Sequence, residues 1–317
     1  MTPMTPMRSA QAPTRACLSG EDLDWLGYRS VCVALDLPTT VRTGGGRVED
    51  DDFLPLAGGH AAMFRSAWQY LLETLRACPR PAPDVRARWT GPIAGGLSSS
   101  TSLTVALFRL FLAHLGQGRN VGPATLARWA LEVELPFDGG GGMDHLAIVH
   151  GGSVLTRGRD GELPELIASV PFPRFWTVLV VDSGVTKSTL AHTNSVREQV
   201  AAEDPRLARY IQICDDASAR VWSGLTRQFL PDVWSGMRTA HGAMRDIQGM
   251  STPFLEKLRR SAEHVAGIPF KVSGSGGGGA LVAVCRRDDR ELVERLRREL
   301  ADRFPSTRLL SVDGVDP

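Results

Sequence analysis

The sequence predicts a two-domain α+β protein. Three observations carry that expectation: strand-like apolar runs recur between amphipathic helical patterns in both halves, a proline pair (Pro171, Pro173) breaks the pattern near residue 172, and the glycines gather into clusters. Glycine makes up 33 of 317 residues, above the usual share, so clustering implies backbone that must approach something closely.

Residues 1–11 are polar and proline-containing and read as a disordered leader; 12–172 and 173–317 read as the two domains. Between 13 and 48, runs such as Val31 to Leu35 and Thr39 to Arg42 read as strands, stopped at Gly44 to Gly46. Met63, Ala67, Tyr70, Leu71 and Leu75 share one face of a helix over 60–77. A proline-rich loop and a strand, Val85 to Trp89, follow. Leu103, Leu107, Leu110, Phe111 and His114 then mark an amphipathic helix ending near Gly116, and a further helix covers 123–134. The second half opens with a strand, Trp176 to Val181. It continues with helical patterns over 190–230, 231–248 and 252–266, a strand from Ala280 to Cys285, a charged helix over 288–302 and a strand from Arg308 to Val312.

Composition narrows the function classes. With 36 Lys+Arg against 35 Asp+Glu, nothing favours nucleic acid as the main partner. No run of about 18 apolar residues would span a membrane. Five scattered cysteines without a C-x-x-C pair argue against a disulfide framework or zinc site and for a cytoplasmic protein.

Three glycine clusters carry chemistry. Pro92-Ile93-Ala94-Gly95-Gly96-Leu97-Ser98-Ser99-Ser100-Thr101 stands before a helix. A helix N-terminus offers free N–H groups, glycines let an anion approach, and serine hydroxyls can cap the helix or ligate Mg²⁺. The alternative is a serine-rich cap. Glu132 and Glu134 precede Gly139 to Gly142, and Asp144 and His145 follow, so carboxylates flank a turn; one could accept a proton and another hold a metal. The third cluster, Lys271 to Gly279, has five glycines in six positions before a buried-strand pattern.

In this order the clusters resemble the motifs of the GHMP kinase superfamily. Pro92 to Ser100 matches P-x-x-x-G-L-[GS]-S-S and Lys271 to Gly279 matches K-x-[ST]-G-[SA]-G-G-G-G. Ala12 to Trp25 is similar to the A-P-x-R-x-x-L-x-G-E-H-x-D-Y of galactokinases, with Asp22 where that pattern has His. Glu132 with Asp144, and Val180 to Ser188, are similar to segments of galactokinases and bacterial heptose 1-kinases.

The resemblance implies a ribosomal-S5-like N-terminal domain, a ferredoxin-like C-terminal domain, and an ATP- and Mg²⁺-dependent sugar kinase acting on the anomeric hydroxyl. By residue, it implies that Pro92, Gly95, Gly96, Leu97, Ser98, Ser99, Ser100 and Thr101 wrap the ATP phosphates, with Ser100 and Glu132 holding Mg²⁺. Asp144 would be the general base and Arg15 would stabilise the transferred phosphoryl and keep Asp144 ionised. Glu21, Asp22, Asp24, His145, Gly276 and Gly277 would meet the sugar. Asp22 for His and His145 for Gln disfavour D-galactose itself. The rival readings are a kinase of a small alcohol of the homoserine or mevalonate type, which would call for more cationic groups than Arg15, and a non-catalytic sugar sensor. The oligomeric state stays open between monomer and homodimer.

Overall fold

The computed structural model describes residues 8–43, 52–117, 121–138, 140–159, 162–186 and 189–317. The expected strand stop at Gly44 to Gly46, as well as Gly139, Lys187 and Ser188, lie outside them.

The N-terminal half is an antiparallel sheet backed by helices. Strand β1 (Ser9–Ser19) pairs with β2 (Arg29–Thr43) across the four-residue helix α1 (Leu23–Leu26). The path of the sheet runs β3 (Leu54–Pro55), β4 (Val85–Trp89), β2, β5 (Ser153–Arg157), β6 (Glu165–Val170), with β1 also paired to β2. The leader expected over 1–11 is corrected in part: Ser9, Ala10 and Gln11 pair with Arg42, Val41 and Thr40, so the ladder absorbs their backbone polarity. Residues 1–7 lie outside the described residues.

Helices α2 (Gly58–Thr74), α3 (Ser99–His114), α4 (Pro123–Asp138) and α5 (Met143–His150) cover this sheet. Helix α3 is central: Leu103, Leu107, Phe108, Leu110 and Phe111 are wholly buried against Met63, Trp68, Leu71, Val41 and Ala130. This burial holds the N-terminus of α3 in place. Helix α4 runs past the expected end at 134 to Asp138, carrying Pro136.

The C-terminal half has a four-stranded antiparallel sheet in the order β10 (Arg308–Val312), β7 (Trp176–Asp182), β9 (Ala280–Arg286), β8 (Lys271–Val272). Helices α6 (Thr189–Ala201), α7 (Pro205–Thr226), α8 (Leu230–Asp246), α9 (Pro253–Ala266) and α10 (Arg290–Arg303) complete it. The single pattern expected over 190–230 is two helices: Glu203 adopts φ 48° and Asp204 caps α7 ahead of Pro205, which cannot continue the preceding helix. Helices α7 and α8 also reach β1 and β2, so the two halves share packing next to the cleft between them.

Candidate active site

A cleft opens between the halves, lined by β1–α1, the start of α2, parts of the 93–101 loop, Phe137, Gly140, Gly141, the start of α5, α6 and the 274–275 loop. Its centre is built on strand β1. Arg15, 4% exposed, donates from Nε to Asp144 Oδ1 (2.5 Å) and from Nη2 to Asp144 Oδ2 (2.7 Å). Its Nη1 donates to Gly96 O (2.7 Å) and its backbone N–H to Leu97 O (3.1 Å). The Ser98 hydroxyl donates to the same Asp144 carboxylate. Burial pushes the Asp144 pKa up, but the Arg15 charge and its hydrogen bonds, Ser98 and His145 together outweigh it and hold the group below its ordinary value. The guanidinium in turn is stabilised in its charged form against its own burial. At 22% exposure Asp144 still faces the cleft.

The 92–101 segment divides by role. Ala94, Gly96, Ser98, Ser99, Ser100 and Thr101 line the cleft at the N-terminus of α3. The expected phosphate-site residues Pro92, Gly95 and Leu97 do not line it. Leu97 is a core residue, and Gly95 is wedged against the Pro92 ring and Gly279. The loop is braced from the C-terminal half: the Ser273 hydroxyl donates to Gly96 O (3.0 Å), and a Cβ at Gly96 would lie 2.3 Å from Ser273 O. Gly274 and Ser275 reach the cleft, whereas Gly276 and Gly277 do not. They are corrected from substrate contacts to loop supports, packed on Met250, whose carbonyl accepts the Gly277 N–H (2.8 Å).

The three acidic residues after Gly20 meet different partners. Glu21, 1% exposed, is ion-paired to the wholly buried Lys271, which also donates to Cys17 O (3.2 Å) and Val272 O (2.8 Å). Glu21 therefore ties the halves together while it lines the cleft. Asp22 Oδ2 lies 2.8 Å from His192 Nε2. Asp24, 3% exposed, accepts from the Met143 N–H (3.0 Å), and no ion pair reaches it among the described residues. Burial, with help from Asp144 and Asp22, pushes its pKa up to about 7 despite the Met143 hydrogen bond.

The metal assignment is also corrected. Glu132 is exposed, accepts a hydrogen bond from the Tyr70 hydroxyl and does not line the cleft. Two positions on, about 200° round the helix, Glu134 turns inward, its Oε2 2.6 Å from Nε2 of His145, which lines the cleft. Sequence reasoning missed this pairing, and it missed Thr189, Thr193 and His60 at the cleft and His192 beside Asp22, for which no motif exists.

The donor set suits a phosphorylated ligand: the helix α3 N-terminus with three serine hydroxyls beside a guanidinium. Among the described residues no group of three or more His, Cys, Asp or Glu side chains is placed to hold a metal alone. Ser100 lies at the cleft, where its hydroxyl would serve an Mg²⁺ held largely by phosphate oxygens. No helix among the described residues is long and apolar enough to cross a membrane.

A family model for the GHMP kinases N terminal domain matches residues 62–152, and one for the GHMP kinases C terminal matches 236–306. "Mevalonate kinase erg12" of Aspergillus fumigatus is 27% identical over 276 residues, 79% of this chain and 51% of that protein, so the chain spans about half the length of this relative. A mevalonate kinase of Methanothermobacter thermautotrophicus is 25% identical over 301 residues, 92% of this chain and 94% of its own. The Methanococcus jannaschii mevalonate kinase structure shares the two-domain fold, with TM-score 0.78 at 18% identity over 99% of this chain and 100% of that one. These relatives carry the name mevalonate kinase, so they support the superfamily and not the expected sugar-kinase branch in particular. The chain belongs to the GHMP kinases.

Proposed function

We propose that this chain is an ATP- and Mg²⁺-dependent kinase that transfers the γ-phosphoryl group of ATP to a hydroxyl of a small alcohol. The observation that carries the reading is the two-point grip of Arg15 on Asp144 beside the serine-lined N-terminus of α3. Asp144, kept ionised, accepts the acceptor's hydroxyl proton as the new O–P bond forms and the bond to the β-phosphate oxygen breaks. Arg15 lies where negative charge spreads over the transferring group, and the α3 N–H groups hold the phosphates left behind. Mg²⁺, with Ser100 as a protein ligand, would neutralise phosphate charge.

The named relatives make mevalonate the first acceptor to assay. A specific observation favours a second reading, a sugar phosphorylated at its anomeric hydroxyl. Asp22 and Asp24 line the cleft with Asp144, and its guanidinium, Arg15, is already engaged by Asp144 and Gly96 O. A hydroxyl-rich acceptor offers donors to such a wall, and a carboxylate does not. The test is ADP release from Mg·ATP with R-mevalonate and with a panel of free aldoses, for the native chain and Asp144→Asn. The proposal expects turnover with at least one acceptor and near-complete loss in the variant. A binding-only sensor would show no turnover to lose.

A further inference from the structure

Helix α6 forms one wall of the cleft through Thr189 and Thr193, yet little apolar packing holds it there: of its thirteen residues only Thr193 and Val196 are buried. An element with so small an apolar face relies on polar tethers for its position. Two are present. Near its C-terminal end, Gln199 and Gln248 exchange hydrogen bonds of 3.0 Å, which fixes α6 within its own half. Near its N-terminal end, His192 Nε2 lies 2.8 Å from Asp22 Oδ2, which fixes it across the cleft to the β1–α1 turn. These side chains are only 13% and 9% exposed, so water screens the contact weakly.

Asp22 supplies an independent observation. It adopts φ 67° in the left-handed region, a conformation that costs a residue with a Cβ on the order of 1 kcal/mol. That backbone holds the Asp22 carboxylate toward α6. Where the galactokinase pattern has its histidine at this position, here the imidazole arrives from the other half of the chain.

We propose that His192 is a positioning residue of the acceptor site: by clasping Asp22 it seats α6, with Thr189 and Thr193, against the acceptor end of the cleft and closes that end to water. The proposal rests on the kinase reading above. With the clasp made, water is kept from a phosphoryl group meant for the acceptor. With it broken, the N-terminal end of α6 loosens and water competes: its oxygen bonds the γ-phosphorus, its proton passes to Asp144, the bond to the β-phosphate oxygen breaks, and ADP and inorganic phosphate leave.

The experiment compares the full native chain with His192→Ala, His192→Gln and Asp22→Ala by two measurements. The first is amide hydrogen exchange across 189–201. The second is ADP released from Mg·ATP with no acceptor added. In His192→Ala, exchange in α6 should quicken about tenfold or more while α7 and α8 keep their protection. Acceptor-free ADP release should rise several-fold. Asp22→Ala, which removes the acceptor, should resemble it, and His192→Gln, whose amide can still donate to Asp22, should restore both readouts toward the native values. Unchanged exchange in α6, faster exchange spread evenly over the C-terminal half, or a loosened α6 without added ADP release would each overturn the clasp while leaving the kinase reading in place. No ADP from any of the four proteins, with or without the acceptor panel, would remove the kinase reading and this proposal together.

Discussion

Arg15 and Asp144, 129 positions apart, meet in a two-point contact at 2.5 and 2.7 Å that also fixes the phosphate-site loop through Gly96 O. One guanidinium therefore sets the charge of the base, its orientation and the position of the loop. Replacing Arg15 by Gln should lower kcat by about two to three orders of magnitude, because the charge-stabilising group and the aim of the base are lost together. The pH profile separates this from a packing defect. In the native chain Asp144 titrates below its ordinary value, so activity persists as pH falls through the usual carboxylate range. In Arg15→Gln the burial that remains raises that limb, and the rate should fall at a higher pH than in the native chain.

Asp24 behaves in the opposite sense. Burial holds its carboxyl up to about 7, against an ordinary 3.8. Between those values the folded chain keeps a proton that the unfolded chain has released, so stability falls as pH rises through the window and stays lowered above it. The cost at pH 8 is roughly 4 kcal/mol on the order-of-magnitude conversion. Asp24→Asn retains an acceptor for the Met143 N–H and carries no charge. Urea unfolding should show the native chain losing stability between pH 4 and 8 relative to this variant. Parallel stability curves for the two would contradict the assignment.

The Glu21–Lys271 pair is wholly enclosed, and Glu21 Oε2 has no hydrogen-bond partner among the described residues. Glu21→Gln strands a buried ammonium and should cost about 3–5 kcal/mol in denaturant unfolding. Glu21→Gln combined with Lys271→Met removes both charges and should recover most of that loss. If the double variant is as unstable as the single, the pair is not what holds these residues.

These particulars show what was legible in the sequence. The phosphate-site loop could be read because its chemistry is local: glycines, hydroxyls and a helix start lie within ten consecutive residues. The β1 segment could be read because Arg15 sits in a consecutive stretch, Ala12 to Trp25, that is similar to a galactokinase motif. The phase of α4 could not. Glu132 and Glu134 face opposite sides of that helix, and what decides between them is docking against Tyr70 on one side and His145 on the other. The His192–Asp22 contact joins positions 170 apart with no shared motif, so only the fold brings it into view. The single pattern over 190–230 hid a break because Asp204-Pro205 signals a new helix start inside otherwise continuous periodicity.

Two glycines of similar backbone conformation separate close approach from conformation alone. Gly96 and Gly277 have φ of 77° and 75°, so alanine at either meets the same left-handed penalty, about 1 kcal/mol. A Cβ at Gly277 would find nothing within 4 Å, whereas one at Gly96 would lie 2.3 Å from Ser273 O, a backbone atom of the opposite half. Gly277→Ala should therefore cost only the conformational penalty and leave kcat close to native. Gly96→Ala must push the 273–279 loop from the phosphate-site loop, disturbing the carbonyl that Arg15 and Ser273 share. It should lose several kcal/mol of stability and about a hundredfold or more in kcat, because a misaligned base and phosphate cradle lose the positioning on which this chemistry depends. Melting temperatures and ADP-release rates measured on both variants decide it: equal, small effects would mean that the two loops do not brace each other.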